Sequence, residues 1–364
     1  VTTDSGGRVL RLAEQYREQL LARDARMLQR QARAILATLR RLDARILALA
    51  ETVSLRAAAG EPTTPGSVVR LEQWRELWTQ LADELARYVN ASSRLIAQTQ
   101  ATNIEAAIDE AARLAGASLP AGVTWGTLRD LGVAWSMLDP DALQFMVGRL
   151  GDGSPLRAYL ARRVVVGTIG ELVEILTTGI VDNPRLTARR MRERVAGGMG
   201  QALRIARTET LRSYRDAARA AYAENPRLVR GYRRRAALDH RTCVACWLMD
   251  GVLYPNESDL EEHIQGRCYL TPELVPMREL GLFGYDEAPR EVPGRQRFLA
   301  LPEASQRRIV GNDRQFELLR SGQISLADLI QRRTHPDFGA QLTQASARAS
   351  LAGIGTLEAL PPLG

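Results

Sequence analysis

Cys243 and Cys246 form a Cys-x2-Cys pair; His263 follows after sixteen intervening residues, and Cys268 after four more. Two thiolates at that spacing on a tight turn point at a common centre, and a second pair from a distant segment closes a tetrahedron around zinc. Three Cys and one His fill all four positions. The spacing therefore predicts a structural Zn2+ with no open coordination site, not a hydrolytic one. All three cysteines of the chain lie within these 26 residues, whereas a disulfide framework would use an even number spread more widely. Buried free thiols beside an unrelated histidine are the plainer alternative. Asp239 and Thr242 flank the pair and are expected to bond backbone amides or the ligand sulfurs. Asp250-Gly251 supplies a turn between two short strands.

Other chemistry finds less support. Asp239-His240 before the cysteines suggests a His-metal nuclease, but no further His and Asn set follows. Neither a Walker phosphate loop nor a G-x-S-x-G motif occurs, and VVVGTIGEL around Gly167 lacks the third glycine of a dinucleotide fingerprint. His335, in RRTHPDF, reads as a turn residue before Pro336. The expectation is a protein that is not an enzyme.

The elements that must hold these residues are mainly helical. Ala, Leu and Arg dominate the 364 residues and aromatic residues make up only 5%, a mixture that favours helix. Residues 8 to 56 contain no Pro and no Gly, and Ile35, Leu39, Leu42, Ile46, Leu49 and Val53 step by 4,3,4,3,4 as a heptad seam. GEPTTPG (60–66) breaks that helix. A second seam then runs through Leu71, Trp74, Trp78, Leu81, Leu85, Tyr88, Ser92 and Leu95. Together they predict a long, coiled-coil-like antiparallel hairpin over 1–118, able to self-associate. A helical middle domain is expected over 119–226. In it Thr187 caps a helix after Asn183-Pro184, glycines 197, 198 and 200 interrupt it, and a long amphipathic helix spans about 199–224. Short strands at 228–238 and 251–254 bracket the cysteines in a small α+β module over 227–280. Loop is expected from Pro272 to about Gly294, and the last segment, 281–364, adds short helices near Glu303–Val310 and Ser325–Arg332 and an extended tail.

Charge is unusual in kind. There is no Lys, so all 49 basic residues are Arg against 42 acidic ones, a net charge of +7. Arg stays charged and forks onto phosphate or carboxylate, so work near nucleic acid is compatible. No run approaches a membrane span, and VTTDSGGRVL lacks a signal-peptide pattern; neither a membrane nor secretion is expected.

Four stretches share a further pattern. ALRIARTETLRSYRDAA (202–218) resembles the "ARTE" helix of the Mu F-like head-morphogenesis proteins of tailed bacteriophages. LDHRTCVACWLMDGVLYP (238–255) resembles that family's Asp-x-x-Thr-Cys-x-x-Cys…Asp-Gly element, and HIQGRC (263–268) its closing His-Pro-x-Cys-Arg-Cys. Here Ile264 replaces the Pro, and Gly266 stands where the first of those Cys would be. FLALPEASQRRIVGNDRQFELLRSGQISLADLI (298–330) also resembles the family, so the likeness covers roughly residues 160–332.

The resemblance implies a minor capsid protein of the virion, in the capsid interior or the portal and neck region, and in the host cytoplasm during assembly. It would associate with the portal protein, or with major capsid or scaffolding protein, in head assembly, DNA packaging or DNA ejection. Beside it the residues suggest second roles. Arg207, with Thr208 and Glu209, could dock the ARTE helix onto the knuckle through a carboxylate near the zinc. Arg204, Arg212, Arg215 and Arg219 could meet phage DNA or an acidic portal surface. A DNA-binding zinc protein without sequence specificity remains the alternative, with a nuclease behind it.

Overall fold

The first helix, α1 (Ser5–Ala58), buries Val9, Ala13, Tyr16, Leu20, Asp24, Met27, Gln31, Ile35, Thr38, Leu42, Ile46, Leu49 and Val53. Those steps repeat as 4,4,3, an eleven-residue period, and not the expected heptad. In α3 (Glu72–Ser118) the line Trp74, Leu77, Leu81, Leu85, Tyr88, Ser92, Ile96 repeats 3,4,4 in the same way. Leu39 and Leu95 are therefore only half-buried, and Trp78 is 38% exposed, its ring tilted against that of Trp74. Eleven residues in three turns is 3.67 per turn, close to the natural helix, so this seam does not demand the left-handed supercoil of a heptad repeat. Polar residues hide the period from a hydrophobic count, because Asp24, Gln31 and Thr38 sit on the buried line seven residues apart.

The computed structural model describes residues 5–178, 183–285, 292–335 and 338–351. Helix accounts for 65% and strand for 9%, and among the described residues no helix is long and apolar enough to cross a membrane. The expected extended tail after Leu351 lies outside the described residues. Contacts divide the chain into two compact units: residues 1–22, 101–145 and 211–364 form one, and residues 23–100 and 146–210 the other.

The second unit is all helical. Here α1 and α3 run antiparallel, with Arg41 Nε donating to Glu84 (2.8 Å) and Ser92 Oγ to Gln31 Oε1 (3.2 Å). The short α2 (Pro65–Val68) lies in the break between them. Helices α5 (Leu156–Leu160) and α6 (Gly167–Thr178), joined by a π-helical turn, and the first part of α7 (Pro184–Ala223) complete it.

Two expectations about α7 are corrected. Its cap is Asn183, whose side chain accepts the Arg185 N–H at 2.9 Å ahead of Pro184 in the first turn; Thr187 is buried inside the helix. Nor do the glycines interrupt it. The helix is continuous, and a methyl carbon at Gly198 would fall on the Thr168 hydroxyl of α6, so that glycine permits a close helix approach.

Asp24 is 1% exposed, 3.3 Å from Arg207 and 3.4 Å from the Thr210 hydroxyl. Burial pushes its carboxyl up to about 6 against the pull of both partners. Unfolded, it would titrate near 3.9, so the folded chain binds more protons between those values. Stability contributed here is full below about pH 4 and is lost as pH rises through about 6. Asp24→Asn should remove that slope and raise stability at pH 7 by about 1–3 kcal/mol in urea unfolding. A loss at pH 7 would mean that the Arg207 pair outweighs burial.

The first unit combines helix ends with the strands. Val9, Ala13 and Tyr16 of α1 pack with Leu114 of α3 and Tyr269, and Arg8 donates to the carbonyls of Ala117 and Leu119. Two short helical segments, α4 (Trp125–Asp130) and a 3-10 turn at Pro140–Met146, fill the connector. The sheet has the order β2-β1-β3, antiparallel throughout, from β1 (Val229–Arg235), β2 (Leu253–Pro255) and β3 (Tyr269–Leu274). Beyond it, α9 (Gly294–Leu299), α10 (Glu303–Val310) and α11 (Asp313–Arg320) precede a hairpin of β4 (Ile330–His335) and β5 (Gly339–Gln344), then α12 (Ala347–Leu351). Of the helix expected at 325–332, only a 3-10 turn at Ala327–Leu329 forms; residues 330–332 belong to strand β4, paired with a partner the local sequence did not announce. Similarly, β3 occupies the start of the stretch expected as loop.

Candidate metal centre

Strand β1 ends against the turn at Asp250-Gly251, and this positions the first two donors. Asp250, 2% exposed, accepts the Ala236 N–H at 2.8 Å and pairs with Arg297 of α9. Gly251 has φ +83°, which suits glycine, and its N–H reaches the Arg234 carbonyl at 2.8 Å. Between strand and turn, a one-turn helix, α8 (Val244–Leu248), starts at Cys243, which lifts Cys243 and Cys246 onto the same side. Asp239 and Thr242 brace the entrance. The Asp239 N–H reaches Thr242 Oγ1 (3.1 Å), the Thr242 hydroxyl and the Arg241 N–H donate to Asp239, and Arg267 binds its carboxylate twice at 2.6 Å. Arg267 thereby holds the Asp239 carboxyl well below its usual range. These two residues bond backbone amides as expected, but their partners are not the sulfurs.

The second donor segment returns from β2 and is gripped by the C-terminal hairpin. Leu342 N–H donates to the Glu261 carbonyl at 3.1 Å and Arg332 pairs with the Glu261 side chain. Next in the chain come Glu262 and His263. His263 Nδ1 lies 2.9 Å from the Ile264 carbonyl, an arrangement that leaves Nε2 facing the cysteines, 3.2 Å from Cys246 Sγ and 3.6 Å from Cys243 Sγ.

The donors form two overlapping triads. Cys243, Cys246 and His263 make one; Cys246, Glu262 and Cys268 make the other; within each, all donor atoms lie within 4.8 Å of one another. All four residues singled out by spacing therefore converge on Cys246, and the cluster could hold a metal ion. Sequence reasoning missed Glu262. It is 3% exposed, with Oε1 3.8 Å from Cys246 Sγ and Oε2 3.0 Å from Arg234 Nη2. A methyl carbon at Gly266 would fall on the Glu262 carboxyl, so the glycine leaves the room this side chain uses. Burial opposes its ionisation, yet Arg234, with His263 and Arg215, keeps Glu262 below its ordinary range. Glu262→Gln should lower metal affinity by about 10–100-fold in competition with a chromophoric chelator. Unchanged affinity would leave Glu262 as the partner of Arg234 alone.

Arginines enclose the cluster. Arg234 is fully buried and donates to Cys246 Sγ (3.3 Å) as well as to Glu262. Arg215, 4% exposed, donates from α7 to the carbonyls of Gly266 (3.1 Å) and Cys268 (3.5 Å). Two guanidinium charges thus face one carboxylate. Three thiolates and one divalent ion would bring that buried set to neutrality, whereas three thiols would leave it with a net positive charge.

Several expected roles move elsewhere. Arg207 pairs with Asp24 instead of a carboxylate near the knuckle, because its place on α7 faces the helical unit. Thr208 donates to the Arg204 carbonyl within the helix, and Glu209 is 1% exposed, away from the donor cluster. Of the four arginines proposed for DNA or portal, Arg215 serves the donor loop, Arg212 donates to the Phe338 carbonyl (3.1 Å) and Arg219 pairs with Asp259 (3.0 Å). Only Arg204 is exposed. His240 is exposed and lies outside the donor set. No family model, curated protein or solved structure matches the chain.

Proposed function

We propose that the cluster holds a single zinc ion in a structural role, and that the chain is a minor head protein of a tailed bacteriophage, associated with the portal during assembly, packaging or ejection. Three thiolates and an imidazole are soft donors that favour zinc over magnesium or calcium. Charge favours one ion: a second would leave the buried set with two uncompensated positive charges.

The observation that carries the wider reading is the contact of Arg215 with Gly266 and Cys268. It joins the ARTE-like helix to the closing His–Cys element, two stretches about fifty residues apart that resemble the same family in the same order. A common structural unit gives a reason for their co-occurrence. The reading assigns the module no chemistry of its own, since a donor set filled by protein leaves substrate no coordination position.

Quantitative mass spectrometry of purified particles, before and after triggered genome ejection, tests the role. A few to a few dozen copies per intact particle are expected, with loss on ejection marking a protein that leaves with the DNA. Intact particles without the chain would end the virion reading, while metal analysis of the isolated protein tests zinc separately.

A further inference from the structure

The helical unit of residues 23–100 and 146–210 carries 23 Arg against 14 Asp and Glu, while the other unit carries 26 Arg against 28. The excess falls on α7 and on α1, and of the two α1 has the longer run without an acidic residue. Between Ala25 and Leu42 there are five arginines and no acidic residue. Arg26, Arg30, Arg33 and Arg40 are exposed; the one acidic residue of α1 within a turn of the exposed four on the same side, Asp43 three residues beyond Arg40, pairs with Arg192. At about 100° per residue they fall within a wedge of about 80°. That wedge lies opposite the buried line through Asp24, Met27, Gln31, Ile35 and Thr38. Arg41, just outside it, is already bound to Glu84.

We propose that this outer stripe of α1 is a binding surface for the phosphate backbone of double-stranded nucleic acid, read without regard to sequence. A straight run from Arg26 to Arg40 spans about 21 Å and offers one cation about every 7 Å on average, against a duplex that carries about one charge per 1.7 Å of axis. Guanidinium forks match phosphate oxygens in pairs. The fifth position of the wedge is Ala37, so the stripe presents no large apolar anchor of the sort that dominates protein–protein contacts. That composition favours a polyanion recognised by charge over an acidic protein partner. The site is separate from the metal centre and does not depend on it.

The test is binding of the full chain to a labelled duplex of random sequence, by fluorescence anisotropy across a salt series. The wild type should bind at low salt, with log K falling linearly against log salt. The quadruple variant R26Q/R30Q/R33Q/R40Q should lose up to about 3–4 from the magnitude of that slope, at about 0.9 per phosphate contact. Gln matches Arg closely in helix propensity, and far-UV circular dichroism of the variant should match the wild type. A matched variant, R308Q/R314Q/R333Q/R348Q, makes the same change of net charge in the other unit and should keep the slope. R26K/R30K/R33K/R40K should retain most of the binding and covers the case in which the Gln variant misfolds. Equal losses in the two Gln variants would reduce the effect to overall charge and overturn the proposal. It would be overturned too by a wild type that ignores duplex at low salt, or that binds poly-glutamate through the stripe and duplex no better. Repeating the series on chelated protein should change nothing, which keeps this outcome distinct from that of the zinc reading.

Discussion

On the zinc reading, Cys246→Ser should abolish metal binding and unfold the three-stranded sheet while leaving most of the helical signal in place. Cys246 is the one donor shared by both triads, and it is 3% exposed, so solvent cannot substitute for it. Structural zinc sites supply an apparent binding energy of about 10–16 kcal/mol near neutral pH, comparable to the whole stability of an ordinary domain, about 5–15 kcal/mol. The sheet around it is small: β2 has three residues and β3 six. Metal analysis should go from one ion per chain to none, and hydrogen exchange should show lost protection in β1, β2 and β3. Cys243→Ser touches one triad only and is expected to weaken metal binding with partial loss. A metal-free Cys246→Ser chain with full protection of the sheet would refute a structural role for the ion.

The second large effect is expected at Arg234. Its side chain is fully buried and holds Glu262 and Cys246 together. Arg234→Met keeps the volume but leaves a buried carboxylate unpaired, at a cost of about 3–5 kcal/mol. Urea unfolding followed by the fluorescence of Trp247, in α8, should register it. Adding Glu262→Gln should recover part of the loss, because the carboxylate that Arg234 neutralises is then gone. Simple additivity of the two changes would show that the pair is not coupled and that Arg234 acts by packing alone.

The parts of the centre that were legible in sequence are those where chemistry restricts residue type. Few side chains bind soft metals, so Cys243, Cys246, His263 and Cys268 stand out by spacing alone. Glu262 does not, since it is one of two adjacent glutamates and carboxylates are common on any surface. Arg234 sits in an Arg-Arg-Arg run that reads as solvated, and only the pairing of β1 with strands on both sides shows that this member points inward. The long helices were legible from the absence of breakers, but their period was not. A hydrophobic count passes over buried Asp24 and Thr38 and takes up Leu39, which turns an eleven-residue repeat into a heptad. The β4–β5 hairpin was hidden because its strands are short and alternate weakly; their pairing and the grip on Glu261 come from tertiary contact.

The two units share their helices: the chain passes between them inside α1, inside α3 and again inside α7. This has a consequence for synthesis on the ribosome. The cluster of Val9, Ala13, Tyr16 and Leu114 is closed by Tyr269, which emerges about 250 residues after Tyr16. At about 5–20 residues per second, that interval is about 12–50 s. Over that time the N-terminal turns of α1 wait with an apolar face unfilled. The first unit therefore cannot finish until Tyr269 has been made, and a nascent chain of this kind is a natural client for a holding chaperone.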